Sequence, residues 1–412
     1  MDNQSRGTPV LSRDSSEGPL QIYIPCFAQL LSEQGYAQST AQQKIKVIVD
    51  FNRWLRRRRI EVAGLDEKHA TKFLKRRRSH SQCHRGDPAT LRALLKCLRG
   101  AGVIASAALQ KEPSPIDRVA ISFAQYLTSE RGLRQSTVGS YLSEARQFLS
   151  HCFGVSSVLL SELSPKDVTR FVLHQASAVS PRRAQTSTGA LRSLFRFLYE
   201  RGEISMDLAA VVPTVANRHF SGLPKFLMPE EVEHLLRVCD RATLAGRRDY
   251  AILLFLARLG LRAGDVVHMA LDDIDWDAGE LVVRGKVRRE DRLPLPSDVG
   301  EAVAEYLQHG RPRCSSRRVF IRLLAPHQGF SSSAAICDVV RRALARAGVD
   351  SAFKGAHLLR HSLATRMLRG GASLSEIGEI LRHRLPNTTE IYAKVDLAAL
   401  RTIARPWPGG EV

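Results

Sequence analysis

The sequence is poor in cysteine and lacks the spacing that a metal or disulfide framework needs. Its seven cysteines are an odd number spread over 412 residues, and no two form a C-x-x-C pair. A disulfide-stabilised domain is therefore not expected, and the thiols suit a reducing cytoplasm. Cys83 lies near His80 and His84, but three candidate ligands in one short loop, with no second cluster, argue against zinc.

Long apolar segments are also absent. The longest one, from Ala251 to Leu261, contains Arg258 and is too short to span a bilayer. Residues 1–19 are polar and Ser-rich without the apolar core of a signal peptide, so we expect a disordered N-terminal tail. These features predict an intracellular protein with no membrane partner.

A dense acidic site is missing as well. One acidic run occurs before a predicted strand, and it comprises Asp272, Asp273, Asp275 and Asp277. Such a run is compatible with a two-metal nuclease. No second acidic cluster of similar density follows, and adjacent carboxylates in a turn are more often solvated. We therefore predict no metal and no other cofactor.

Basic residues are what the chain has in excess. Lys and Arg number 61 against 41 Asp and Glu, which gives a formal net charge of +20 and a pI near 10.2. Single basic runs often form solvated faces or reflect an arginine-rich genome. Here the runs extend through the whole length, at Arg56 to Arg59, Lys75 to Arg78, Arg288-Arg289 and Arg317-Arg318. Their sum favours a polyanionic partner.

The first half of the chain contains a duplicated unit. Phe27-Ala28-Gln29 returns as Phe123-Ala124-Gln125, and Gln38-Ser39-Thr40 returns as Gln135-Ser136-Thr137, roughly 97 residues later. The i, i+3, i+4, i+7 apolar spacing within each copy predicts about four helices.

Beyond the duplication the pattern becomes mixed, with a β-hairpin predicted from Glu280 to Leu295 between helices. The predicted fold is mainly α with a small antiparallel β-sheet, in which two repeated helical DNA-binding domains precede an α+β catalytic domain. The predicted boundaries are a tail at 1–19, a first repeat at 20–110, a linker at 111–115, a second repeat at 116–211, a linker at 212–224, a catalytic domain at 225–396 and a C-terminal tail at 397–412.

Five short motifs in the second half place cationic and nucleophilic side chains in a fixed order. They are Gly260-Leu261-Arg262, Gly285-Lys286, His357-Leu358-Leu359-Arg360-His361, Leu381-Arg382-His383 and Thr389-Glu390-Ile391-Tyr392. Each motif alone is common, because a helical tyrosine usually packs and a Gly-Leu-Arg often ends a helix. Their order and spacing together predict one pocket.

This set of side chains suits attack on a phosphodiester without a metal ion. Tyr392 supplies a phenolic nucleophile, and the planar forks of Arg262 and Arg360 match the two non-bridging oxygens. His383 can donate to a non-bridging oxygen and His357 can accept the phenolic proton. Lys286, on the hairpin turn, can protonate the leaving 5′ oxygen.

Residues from about Leu223 to Asp396 resemble the catalytic domain of the tyrosine recombinase, or phage-type integrase, family, and Ile116 to Asp207 resembles its core-binding domain. The resemblance assigns the catalytic set Arg262, Lys286, His357, Arg360, His383 and Tyr392, with Asp265 and His361 as supporting residues. Arg382 and Met228 depart from the family pattern, which usually has glycine and Ser or Thr at these positions.

The resemblance implies a site-specific recombinase that joins DNA to its tyrosine as a 3′-phosphotyrosyl ester, without ATP. It further implies a tetramer on two duplexes through a four-way junction, a bacterial-type nucleoid location and movement of a mobile element. The C-terminal tail would contact a neighbouring protomer. Two alternatives remain open: a type IB-like topoisomerase, and a recombinase-derived DNA-binding protein without cleavage. The first repeat could bind DNA or a protein, and other recombinases or host DNA-bending proteins could join the complex.

Overall fold

The structure is a computed structural model that describes residues 18–79, 83–105, 113–154, 158–215, 225–284, 290–383, 385 and 388–395. By its internal contacts the chain divides into two compact units. The first unit contains the described residues up to 105 together with those from 225 onward, and the second contains those between 113 and 215. The finer division predicted from the sequence, with its tails and linkers, stays a prediction.

The first repeat is a four-helix unit. Its helices are α1 (Ile24–Glu33), α2 (Gln38–Arg57), α3 (Glu67–Ser79) and α4 (Asp87–Gly100). They enclose an aromatic core in which Phe51 lies 5.0 Å from Phe73 and Trp54 lies 5.9 Å from Phe73, measured between ring centroids. Phe27 and Leu94 are fully buried in the same core.

The second repeat has the same helix order. Its helices are α5 (Pro115–Gln125), α6 (Gln135–Phe153), α7 (Pro165–Ala178), α8 (Pro181–Glu200) and the short α9 (Leu208–Val211), with a π-helical turn at Tyr126–Glu130. Phe123 and Phe171, which correspond in sequence to Phe27 and Phe73, are again core residues. The predicted pair of helical repeats is therefore confirmed.

Local sequence explains where these helices begin. At α7 the Asp167 carboxylate accepts hydrogen bonds from the Ser164 main-chain N–H at 3.1 Å and the Ser164 hydroxyl at 2.6 Å. Pro165 takes the first helical position, where no N–H is needed. This capping box fixes the start of α7.

Residues from 225 onward form a mixed helical and β part. Its helices are α10 (Pro229–Arg237), α11 (Leu244–Arg258), α12 (Ala263–His268), α13 (Ser297–His309), α14 (Ser333–Ala347), α15 (Ala356–Arg369) and α16 (Leu374–Ile380), followed by a 3-10 helix at Glu390–Val395. The helix α11 is the centre of the core, because every residue from Ala251 to Ala257 is buried.

A three-stranded antiparallel sheet lies beside these helices. The strands β1 (Ile274–Asp275), β2 (Glu280–Arg284) and β3 (Glu290–Pro294) pair in the order β1-β2-β3. The predicted hairpin of β2 and β3 is confirmed, with Val283 opposite Asp291. The two-residue strand β1 was not predicted, because it is too short to give an alternating pattern.

No helix among the described residues combines the length and apolar character needed to cross a bilayer.

Candidate active site

The predicted nucleophile Tyr392 lies in the interior. Its side chain is 1% exposed and packs against Leu363, Ile377 and Leu381. The phenolic oxygen lies 2.9 Å from Nδ1 of His361. Burial raises the pKa of Tyr392 to about 12, although the positive charge of Arg360 opposes the shift. At neutral pH the phenol is therefore protonated and covered.

Arg360 joins two chain segments beneath this tyrosine. It is 3% exposed on α15, and its guanidinium donates hydrogen bonds to the carbonyl oxygens of Gly260 and Leu381. Gly260 has a φ of +57°, and a Cβ there would lie 2.6 Å from the Leu381 side chain, so glycine permits the close approach. Burial, followed by the charges of Arg262 and Arg382, lowers the pKa of Arg360 to about 9.

Arg262 stands at the start of the short helix α12. Its main-chain N–H donates to Asp265 Oδ2 at 3.1 Å, and its Nη2 donates to the carbonyl oxygen of Arg382 at 2.9 Å. The side chain is half-buried. Arg262 therefore shares one pocket with Arg360 and Arg382, as the sequence pattern predicts for the first two.

Arg382 contributes a third guanidinium that the pattern did not assign. Its Nη2 donates to Asp265 Oδ2 at 2.6 Å, and its Nη1 lies 4.0 Å from Asp291 Oδ2 on β3. Its side chain is 6% exposed, and its backbone adopts a φ of +55°. A non-glycine residue in the left-handed region costs about 1 kcal/mol, so these contacts offset a backbone penalty.

His383 is held by a threonine from the motif of the nucleophile. Its Nδ1 lies 2.7 Å from Thr389 Oγ1, and its main-chain N–H donates to the Gly378 carbonyl oxygen at 2.8 Å. Burial, then the charges of Arg360 and Arg262, lowers the pKa of His383 to about 4. If Thr389 donates to Nδ1, the proton of the neutral ring is on Nε2, where it can be donated to a phosphate oxygen.

The other predicted residues lie at the edges of this pocket or outside the described residues. His357 is exposed in the first turn of α15, and its ring centroid lies 6.2 Å from that of His361. Lys286 falls between residues 285 and 289, which the structure does not describe. At the base of its hairpin, Arg284 pairs with Asp273 and lies 3.1 Å from Glu290.

The structure thus brings Arg262, Arg360, His383 and Tyr392 together around the ends of α11 and α16. Asp265, predicted as a supporting residue, accepts hydrogen bonds from the main-chain N–H of Arg262 and from Arg382. Sequence reasoning assigned the phenolic proton to His357, whereas the histidine that touches the phenol here is His361. Thr389 was missed as a partner of His383, although its position in the tyrosine motif was a signal.

Two carboxylates of the acidic run near β1 form ion pairs with arginines. Asp272 pairs with Arg317, and the buried Asp273 pairs with Arg284. Across the part of the chain that the structure describes, no group of three His, Cys, Asp or Glu side chains is placed to hold a metal ion.

The half-buried His361 predicts a pH dependence of stability. Folding lowers the pKa of His361 to about 4, mainly by burial and then by His357, so the folded protein favours the neutral ring. The unfolded chain binds a proton near pH 6.5, and stability therefore falls as the pH drops from about 6.5 towards 4. Between pH 7 and pH 5, His361 alone is expected to cost about 2 kcal/mol.

Urea denaturation of wild type and His361→Gln at both pH values measures this contribution, because all other titrating groups are common to the two proteins. The variant is expected to lose less stability on acidification. Equal losses would mean that the folded state does not disfavour protonation of His361.

Comparisons with known proteins relate the chain to one family. Residues 225–398 match the model of the phage integrase family, and residues 120–202 match that of the phage integrase N-terminal SAM-like domain. A Sinorhizobium fredii protein named as an integrase/recombinase, y4rA, is 46% identical over 95% of this chain and 96% of its own length. The tyrosine recombinase XerD of Mycobacterium tuberculosis is 31% identical over 70% of this chain and 96% of its own.

Solved structures show the same fold. A XerH site-specific recombinase bound to palindromic difH substrate matches with a TM-score of 0.54 and 18% identity, over 71% of this chain and 97% of that one. A lambda integrase dimer bound to a COC′ core site matches with a TM-score of 0.51 and 17% identity, over 83% of this chain and 89% of that one.

Proposed function

The chain belongs to the phage integrase family of tyrosine recombinases, and from this membership we propose that it cuts and rejoins DNA strands through a covalent ester on Tyr392. One observation of the site carries the assignment of residues. The His383 ring lies 6.5 Å from the Tyr392 ring, measured between centroids. Arg360 is near enough to act on the pKa of Tyr392, and Arg262 and Arg360 are both near enough to lower the pKa of His383. Such a group of donors is suited to an anion with two exposed oxygens.

The reaction exchanges one phosphodiester for another. The Tyr392 oxygen bonds to the scissile phosphorus while the bond from phosphorus to the 5′ oxygen breaks, and the phenolic proton is lost as the 5′ oxygen gains one. A free 5′ hydroxyl then attacks the 3′-phosphotyrosyl ester and releases the tyrosine. Because the ester conserves the bond, the cycle needs neither ATP nor a metal.

The proposed roles follow the positions of the side chains. Arg262 and Arg360 clamp the non-bridging oxygens, and His383 donates to one of them. His357 is proposed as the base, because its exposed position lets it meet a phenol at a bound strand, whereas His361 is half-buried against the interior position of the phenol. Lys286 is proposed as the acid for the 5′ oxygen. The pairing of Arg284 with Asp273 and Glu290 supports this choice, since it engages a competing cation of the hairpin.

The observed position of Tyr392 is an inactive one, here called the stored position. The phenol is buried, protonated and hydrogen-bonded to His361. Attack on DNA requires the 3-10 helix Glu390–Val395 to move so that the hydroxyl leaves His361 and enters the cationic pocket. The stored state protects the nucleophile until a duplex is bound.

The proposed partners are duplex recombination sites and further copies of the chain. Solved relatives of the same fold are bound to DNA, which supports a duplex partner. We further propose a tetramer that acts on two duplexes through a four-way junction, with residues 397–412 of one protomer contacting its neighbour. The proposal also includes a cytoplasmic location at the nucleoid and a role in the movement of a mobile element.

The polarity of the covalent link tests this function. A binding site is first selected from a randomised pool of duplexes. A series of substrates is then synthesised in which this site carries a nick at a different position of one strand. Cleavage close to a nick releases a short fragment and so traps the covalent adduct. In EDTA, we expect protein attached through the phosphate to the 3′ end of one fragment, and a 5′ hydroxyl on the other fragment that polynucleotide kinase can label. Protein attached to a 5′ end, or cleavage that EDTA stops, would overturn the proposal. Transfer of a labelled strand between duplexes distinguishes a recombinase from a topoisomerase.

A further inference from the structure

The two repeats share a fold but differ in charge. Residues 20–110 contain 17 Lys and Arg against 6 Asp and Glu, a net charge of +11. Residues 116–211, which include the part matched by the SAM-like domain, contain 11 against 8, a net charge of +3. The first repeat therefore carries more than half of the formal charge of +20.

The acidic residues of the first repeat are used inside it. Arg77 is largely buried between α2 and α4, with Nη1 2.7 Å from Asp50 and Nε 3.2 Å from Asp87. Glu67 pairs with Arg99 at 2.7 Å. These contacts hold the helices together, so the carboxylates do not neutralise the exposed cations of α3.

In the second repeat, three exposed arginines have acidic partners. Arg146 lies 3.4 Å from Asp117, Arg183 lies 3.1 Å from Glu144, and Arg201 lies 2.7 Å from Glu130. Several cations of its surface are thus balanced by acidic neighbours. The excess of positive charge in the first repeat is not a property of the shared fold.

Part of this excess lies on the outward side of α3. Lys68, Lys72, Lys75 and Arg78, called the α3 basic stripe below, are all exposed, and none has an acidic partner among the described residues. Their spacing of four, three and three residues keeps them on one side of the helix, over about 15 Å. In α7 the position of Lys75 is taken by Leu173, which is 66% exposed.

The opposite side of α3 anchors the stripe. Ala70 and Phe73 are buried, and Phe73 packs against Phe51 of α2. Arg77 lies over the Phe73 ring, with its guanidinium carbon 5.6 Å from the centroid. The stripe is therefore presented by a packed helix, in a fixed arrangement.

We propose that the α3 basic stripe binds the phosphate backbone of duplex DNA and gives the chain a second DNA contact outside the active site. Unpaired cations in a row suit phosphates, where binding releases condensed counterions. A protein partner fits less well, because no large apolar side chain of α3 is exposed and interface cores are depleted of lysine. The proposal deepens the proposed function, since it rests on DNA as the partner of this chain.

The test is the salt dependence of DNA binding by the full chain carrying Tyr392→Phe, so that no cleavage step enters the measurement. The stripe variant adds Lys72→Gln, Lys75→Gln and Arg78→Gln. On a 60-bp duplex (roughly six helical turns) containing the selected site, the slope of log Kd against log salt is expected to flatten by about 2 to 3. The affinity at fixed salt is expected to fall at least about 10-fold.

A matched control removes the same charge from exposed cations that already have a partner. Arg241 stacks on Tyr250, Arg317 pairs with Asp272, and Arg341 pairs with Asp338. Replacing these three by Gln is expected to leave the slope within about 0.5 of the parent. If the slope flattens equally in both triple variants, the effect follows from the loss of net charge alone and the proposal is wrong.

A single variant covers the case in which the triple variant does not fold. Lys75→Leu installs the residue that α7 carries at this position, and it is expected to flatten the slope by about 1. A slope equal to that of the parent would remove the stripe from the DNA interface. Because the measurement needs no chemistry, failure of the covalent mechanism would leave its result unchanged.

Discussion

The Tyr392→Phe variant is expected to form no covalent adduct on the nicked substrate while binding DNA as well as wild type. Phenylalanine keeps the ring that packs against Leu363, Ile377 and Leu381, and it removes only the oxygen that would bond to phosphorus. The fold loses one neutral hydrogen bond, to His361, worth about 1 kcal/mol. The measurement is the yield of protein-linked strand after denaturation, at saturating protein.

Tyr306→Phe is the matched control for this experiment. Tyr306 is equally buried, its hydroxyl accepts a hydrogen bond from the Ile321 N–H at 3.1 Å, and burial also raises its pKa to about 12. Removing its hydroxyl also costs about 1 kcal/mol but takes no atom from the proposed site. Adduct from the Tyr392→Phe protein, or its loss from both variants, would remove Tyr392 from the role of nucleophile.

Much of the fold could be read from the sequence because it repeats or follows a regular period. The duplicated phenylalanines, Phe27 with Phe123 and Phe73 with Phe171, occupy the same core positions in both repeats. The hairpin was visible because its strands alternate around a basic turn. Strand β1 was not, because two residues carry no period, and it forms only by pairing Ile274 with Leu281.

The candidate site was predictable as a set of residue types but not as a set of contacts. Motif order indicated that Arg262, Arg360, His383 and Tyr392 share a pocket. Which histidine meets the phenol depends on how α15 is rotated against the 3-10 helix, and this rotation is set by packing. His357 and His361 are one turn apart; His361 lies 2.9 Å from the phenolic oxygen, and His357 is exposed. The conformation at Arg382 was equally hidden, because arginine rarely adopts a positive φ.

Arg382→Gly is expected to lower the rate of adduct formation about 100-fold, the loss that follows when a reacting group is misplaced by about 1 Å. Arg382 lies between two carboxylates, that of Asp265 in α12 and that of Asp291 on β3. Strand β3 is the first described segment after Lys286 in the sequence. We therefore expect it to position the hairpin against the arginine pocket. Glycine relieves the left-handed backbone but leaves Asp265 without this cation.

Arg59→Gly controls for the backbone effect, because Arg59 is the other non-glycine residue of the described chain with a positive φ, at 54°. It is expected to leave the rate of adduct formation unchanged. If Arg382 only completes a turn, Arg382→Gly should be at least as active as wild type. That result would contradict a positioning role.

A substrate with sulfur in place of the 5′ leaving oxygen separates the two ways in which Arg382 could act. A thiolate departs without a proton, so a defect that arises from a displaced Lys286 should largely disappear with this substrate. A defect that arises from a disordered Arg262 should persist, because the clamp on the non-bridging oxygens is still needed. We expect recovery with sulfur for Arg382→Gly and Asp291→Asn alike, since Asp291 is the hairpin residue that lies beside Arg382. If the rate of adduct formation recovers in neither variant, Arg382 acts on the arginine pocket and not on the hairpin.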